Sequence, residues 1–291
     1  MHPFNRTAVV GATLAVMAVG AQAVTLVGIT SQNQITLIDT ANIAGATTAT
    51  ITGLAAGDRF VGIDLRPKDN KIYGVTLSNK IYTVDQSTGA TSFVVALGSA
   101  VINPSLGYGI DFNPVADFGT GASLRLISSA GSNFAVNVAT GVVGNQASNI
   151  GTGFTGAGYS NSNPLPSAAP ASTALYYINS NTDSLMMASS AFNAPTIVNV
   201  GALGIDALKA NGFEVLGNGM AYAALNVDDG SSLLTGLYSI NLGTGAATLL
   251  GNYNGTLSGL TVSAVPEPES YALMLAGLLA VGGLVRRRQR R

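Results

Sequence analysis

The chain has 291 residues and a formal net charge of −1; charged residues make up only 9% of it, and it contains no cysteine or tryptophan. The lack of cysteine excludes disulfides, cysteine nucleophiles and thiolate metal sites, and the single histidine, His2, lies at the extreme N-terminus. Serine–histidine and cysteine–histidine catalytic systems and the common zinc sites are therefore excluded from the body.

In chain order, residues 1–23 carry Arg6, an apolar run from Thr7 to Val19, and the small-residue close Gly20-Ala21-Gln22-Ala23. A basic start, a short apolar stretch and an A-x-A site predict a secretory signal cut by signal peptidase, with Ala21 and Ala23 as the small residues of the cleavage site. The body, residues 24–264, carries seven basic residues (Arg59, Arg66, Lys68, Lys71, Lys80, Arg125, Lys209) against twelve acidic ones, a net charge of −5. No basic face can be assembled to displace counterions from phosphates, so nucleic acid is excluded as a partner. A body of this size buries enough apolar surface to fold without disulfides.

The body opens with three short alternating segments, "TLVGIT", "QITLID" and "TATITG". Repetition follows. "GIDLRP" begins at Gly62, "GIDFNP" at Gly109 and "GAGYSN" at Gly156, 47 residues apart each time. "GFEVLG" at Gly212 and "GLTVSA" at Gly259 are again 47 apart, after a longer step of 56. Each of the first four is followed by further apolar-alternating runs, such as "KIYGVT", "KIYTVD" and "TSFVVALG" in the first unit. Alternation over four to eight residues between Gly, Asn, Asp and Ser clusters predicts strands and tight turns. Asp85–Gly89, Asn137–Gly141 and Asn241–Gly245 share one turn design, a polar lead residue and a closing glycine.

Four-strand units at this period predict an all-β fold, a β-propeller of five four-stranded blades. The three N-terminal strands lack an inner partner, and "LSGLTVSA" at Leu257–Ala264 lacks outer ones. Pairing them completes the fifth blade and closes the ring. A six-bladed ring and an irregular β-sandwich are the competing architectures. The proline-bearing segment Asn161–Ser172 has no periodicity and reads as an exposed insertion.

With histidine and cysteine gone, carboxylates carry whatever chemistry the body has. Asp64, Asp111 and Glu214 hold the same position in three inner strands, so a ring would aim them at a central channel. There they form a candidate ligand site, for calcium through hard oxygen ligands or for a glycoside through a paired acid and base. The favoured reading is structural: they bond backbone amides or Arg66 and neighbouring turns, and fix blade against blade. No cofactor other than calcium is expected. The string Gly151-x-Gly153-x-x-Gly156 lacks the strand–helix unit of a dinucleotide site. Asp228-Asp229-Gly230 reads as a solvated turn, and Arg66, Lys68, Lys71 and Lys80 as a solvated blade edge. The recurring Tyr73, Tyr82, Tyr176, Tyr177, Tyr222 and Tyr238 suit packing between blades better than stacking on sugars.

The C-terminus reads Pro266-Glu267-Pro268, a spacer, the apolar segment Tyr271–Val285, and the cluster Arg286, Arg287, Arg288, Arg290 and Arg291. As a helix the apolar segment would measure about 22 Å, short for a bilayer but helped by snorkelling arginines, and it is expected to be a short transmembrane helix. This three-part ending resembles the PEP-CTERM sorting signal of Gram-negative bacteria. The resemblance implies transient anchoring in the inner membrane, removal of the tail by an exosortase, and release to the cell surface or matrix. The expected organisation is a signal peptide over 1–23, a propeller over 24–264 and a sorting signal over 265–291.

The body's G-I-D-[LF]-x-P motifs at Gly62–Pro67 and Gly109–Pro114, with Ile72–Val75 and Ile81–Thr91, resemble an uncharacterised family of exported bacterial proteins. That resemblance implies a propeller-like fold and brings no catalytic residues. The expected function is a non-enzymatic, exported surface or matrix protein that binds polysaccharide or another protein. A carboxylate-based glycan-active enzyme and a calcium-dependent binding module are the alternatives.

Overall fold

The computed structural model describes residues 23–208, 212–228 and 233–264. The chain first lays down β1 (Thr25–Thr30), β2 (Gln34–Asp39) and β3 (Asn42–Thr50). The second blade is β4 (Phe60–Arg66), β5 (Lys71–Thr76), β6 (Lys80–Val84) and β7 (Thr91–Ala96). The third is β8 (Tyr108–Phe112), β9 (Leu124–Ser128), β10 (Asn133–Val136) and the two-residue β11 (Val143–Gly144). The fourth is β12 (Phe154–Tyr159), β13 (Leu175–Asn179), β14 (Ser184–Ala188) and β15 (Val198–Ala202). The fifth is β16 (Gly212–Val215), β17 (Ala221–Asp228), β18 (Leu233–Ile240) and β19 (Ala247–Tyr253), and the chain ends on β20 (Leu257–Val262).

Five antiparallel four-stranded sheets result, and β20 pairs with β1 to complete the first blade, with Leu26 opposite Val262 and Gly28 opposite Leu260. The fold is the five-bladed propeller read from the repeat. Its inner strands β4, β8, β12, β16 and β20 contact one another in a closed ring. Outward strands lose burial: β4 is buried along nearly its whole length, whereas β7 is half-buried or exposed throughout. Apolar clusters fill the gaps between blades. Val75, Ile81 and Tyr73 of blade 2, for example, pack with Ile110, Phe112 and Leu126 of blade 3.

The first glycine of each repeat sits where inner strands meet. A Cβ on Gly109 would lie 2.8 Å from the Ala157 nitrogen, and one on Gly212 would lie 2.5 Å from Leu260 Cβ. These glycines let neighbouring inner strands converge until the axis is nearly filled; the void left among them is about 10 Å³, no more than a single water molecule needs. Gly109→Ala is expected to destabilise the body by about 2 kcal/mol, because the obstructing atoms are backbone and cannot swing aside. A denaturation midpoint equal to wild type would show that the ring has slack.

The three matching turns form as the sequence suggests. Asp85 Oδ1 accepts the Ser87 and Thr88 amides at 2.9 and 2.8 Å, Asn137 and Asn241 play the same part, and Gly89, Gly141 and Gly245 take φ of +73°, +74° and +83°. They also join blades: the Thr52 amide donates to Gly89 O and the Gly98 amide to Gly141 O. The insertion Asn161–Ser172 is mostly exposed, and its Leu165 amide reaches Pro67 O of blade 2.

One expectation is corrected. No helix among the described residues is long and apolar enough to cross a membrane, and the transmembrane helix read from Tyr271–Val285 falls outside them. Ala21, the sorting motif Pro266-Glu267-Pro268 and the tip of the Asp228-Asp229-Gly230 turn also lie outside the described residues.

Candidate functional site

Asp64, Asp111 and Glu214 do converge at the axis. Each offers an oxygen within 4.8 Å of the other two, and all three residues are at most 3% exposed. The repeat places Gly158 and Thr261 at the same position in the other two inner strands, so five residues form one ring.

Each polar member of this ring accepts the amide of the residue that follows its counterpart in the next inner strand. Phe112 N–H donates to Asp64 Oδ2 at 2.7 Å, and Tyr159 N–H donates to Asp111 Oδ1 at 3.0 Å. Val262 N–H donates to Glu214 Oε2 at 3.3 Å, and Leu65 N–H donates to Thr261 Oγ1 at 2.8 Å. Gly158 alone has no side chain to offer, and a Cβ there would meet Val215 Cγ2 at 2.9 Å. Inner strands of neighbouring blades are not paired as a sheet, so these side chains supply the acceptors that the strands cannot give each other.

The contacts also require a shared proton. Thr261 Oγ1 lies 3.0 Å from Asp64 Oδ1 and 2.7 Å from Glu214 Oε2, yet its hydroxyl has one hydrogen and already accepts from Leu65. At least one acid must therefore carry a proton for both contacts to be made. Burial pushes Asp64 and Asp111 well above the usual carboxylate range; the charge of Glu214 adds to this at Asp64, and those of Asp64 and Glu214 at Asp111. Burial raises Glu214 to about 7. Desolvation and like charge act in the same direction here.

Of the partners read from the sequence, backbone amides or Arg66, the carboxylates take the amides; Arg66 turns elsewhere. Its Nε donates to Asp117 Oδ1 at 2.7 Å, and its guanidinium lies 5.6 Å from the ring centroids of both Tyr73 and Phe112. Asp117, 1% exposed on the single turn Ala116–Phe118, also accepts the Lys68 amide and the Ser123 hydroxyl. Arg66 thus clasps blade 2 to blade 3 and is not part of a solvated edge. Sequence reasoning passed over Asp117 because it lies between repeats. Of the recurring tyrosines, Tyr73, Tyr82, Tyr177, Tyr222 and Tyr238 are buried. Tyr73, Tyr82 and Tyr177 make edge-on ring contacts, such as Tyr73–Phe112 at 5.4 Å, and the burial of all five leaves no open face to a sugar.

A family model described as a domain of unknown function (DUF4394) matches residues 34–261, and a PEP-CTERM protein-sorting motif matches residues 264–291. No curated protein matches the chain. Solved structures similar in fold include one of a nidogen/laminin complex, 12% identical, covering 83% of this chain and 98% of that one with a TM-score of 0.45. A putative 6-phosphogluconolactonase from Bacteroides uniformis is 10% identical, covering 79% and 82%, with a TM-score of 0.40. BamB from Moraxella catarrhalis is 14% identical, covering 78% and 60%, with a TM-score of 0.30. These likenesses concern the fold alone.

Proposed function

The chain belongs to the DUF4394 family and ends in a PEP-CTERM sorting motif, and from that premise we propose that it is a non-enzymatic protein of the cell surface or matrix whose propeller binds polysaccharide. The motif implies export and processing by an exosortase. One observation supports a binding scaffold over an enzyme: the ring carboxylates are spent on backbone amides, around an axis with no room for substrate. A glycosidase pair instead stands about 5–9.5 Å apart across an open cleft.

The same contacts argue against a calcium centre. A hard cation wants six to eight oxygens, whereas these oxygens already accept amide and hydroxyl hydrogens. Co-sedimentation of the secreted protein with the producing organism's extracellular polysaccharide tests the reading. Saturable binding, equal in millimolar calcium and in chelator, is expected. Turnover of the polysaccharide, or no binding in either buffer, would remove the proposal; binding only with calcium would return the carboxylates to a ligand role.

A further inference from the structure

Blade 3 breaks the repeat beside the ring. In the inner hairpins of blades 2, 4 and 5 the residues opposite Asp64, Gly158 and Glu214 are Tyr73, Tyr176 and Tyr222. Opposite Asp111 stands Arg125. A guanidinium thus takes the place of a phenol, and Arg125 is only 5% exposed. Burying a cation is costly unless an anion accompanies it.

No such anion is supplied among the described residues, where the guanidinium–carboxylate pairs all belong to Arg66. Neutral oxygens hold Arg125 instead. Its Nε donates to Tyr159 Oη at 3.3 Å, Nη1 to Asn133 Oδ1 at 3.1 Å and to the Asn133 and Phe134 carbonyls at 3.4 Å, and Nη2 to Asn193 Oδ1 at 2.9 Å. Asp111, although in register, accepts the Tyr159 amide and makes no ion pair with it. The Tyr177 hydroxyl is buried without a hydrogen-bond partner among the described residues, and the Arg125 guanidinium is close enough to act on it electrostatically.

Arg125 lines a cleft of about 520 Å³ between blades 3 and 4, together with Asn113, Ser123, Tyr159, Phe192 and Asn193. Asn193 is exposed, on a turn closed by Ala194 N–H to Ala191 O, and Ala191 holds a left-handed φ of +52° that a residue with a Cβ disfavours. We infer that this cleft is a carboxylate-binding subsite for a uronic acid residue, with the sugar's carboxylate replacing Asn193 Oδ1 at the Arg125 guanidinium. The planar fork of arginine suits a carboxylate, and the volume suits a ligand of one or two sugar rings. Asn113, Ser123, Tyr159 and Asn193 set amides and hydroxyls around the guanidinium, and Arg125 is the one cation on this wall, which suits a ligand with a single carboxylate and several hydroxyls better than a polyacidic peptide. The inference rests on the polysaccharide reading and names its ligand class.

Titrating the secreted protein with sodium glucuronate, glucose and a glutamate-rich peptide, followed by calorimetry, tests it. Saturable glucuronate binding that weakens with salt, without glucose binding, is expected. Arg125→Met should weaken it at least about tenfold, with Arg125→Lys in between. Asn193→Ala, on an exposed turn, keeps the test open if Arg125→Met does not fold, and should tighten binding by freeing Nη2. No saturable binding, equal binding of glucose, preference for the peptide, or indifference to the variants would overturn the subsite. Glucuronate binding without retention on polysaccharide would sink the broader reading and leave the subsite standing. Undiminished retention of Arg125→Met on an acidic polysaccharide would do the reverse.

Discussion

The body is expected to lose about 3 kcal/mol of stability between pH 4.5 and 7. Glu214 rises from its ordinary 4.5 to about 7 on folding, and each unit is worth about 1.4 kcal/mol. A carboxyl with a raised folded-state pKa binds its proton more tightly when folded. Its contribution is complete below the unfolded value and is lost as pH climbs through the folded one. Asp64 and Asp111 shift the same way and steepen the fall. Asp85 acts oppositely at the acid end, because the Thr88 amide and hydroxyl hold it below its usual value. Urea unfolding at pH 5, 6, 7 and 8 reads the slope directly. Glu214→Gln keeps an acceptor for Thr261 and Val262 and imitates the protonated acid, so it should flatten the curve and leave the body more stable than wild type at pH 8. Stability that rises from pH 5 to 7, or a Glu214→Gln curve as steep as wild type, would mean that the ring is not held by protons.

Breaking the clasp between blades 2 and 3 should have an effect of similar size. Asp117→Ala removes the acceptor of the Arg66 Nε, the Lys68 amide and the Ser123 hydroxyl together. Loss of one partner of a buried pair costs about 3–5 kcal/mol. Arg66 is 18% exposed and keeps Asp69 at 3.6 Å, so about 3 kcal/mol is expected after discounting for solvent. For a domain of this size that lowers the Tm by about 6–12 °C. Asp117→Asn, which keeps an oxygen but not the charge, should recover about half. A double-mutant cycle with Arg66→Met should give a coupling of at least about 1 kcal/mol; additivity would show that the two residues stabilise the fold independently.

The ring could be read in advance because its unit repeats. The glycine-led motifs at a fixed spacing marked the inner strands, and the missing strands at the two ends implied their pairing. The longer step before Gly212 was legible as an insertion at Asn161–Ser172. Bonding of Asp64 and Asp111 to backbone amides between blades was legible as a reading beside the ligand one, but the particular partners were not. Alternation shows which residues face the axis, and not which amide of the next strand arrives 2.7–3.0 Å away. Thr261 escaped notice because its hydroxyl is not a carboxylate, although it holds the same place in the repeat. Aligning the inner hairpins would have exposed Arg125 as the cation standing among tyrosines. Asp117 had no such signal, since the turn that carries it belongs to no repeat.

The β1–β20 pairing has a consequence in time. Synthesis runs from the N-terminus, so β1 must wait for a partner more than 200 residues away. At about 5–20 residues per second the delay is on the order of ten seconds or more. Throughout it the first blade carries an open edge of the kind that invites aggregation. The strand that ends the wait is followed within four residues by Pro266 of the sorting motif. A chain cut short anywhere before Leu257 has neither a closed ring nor an address, so possession of the address certifies that the chain can finish folding.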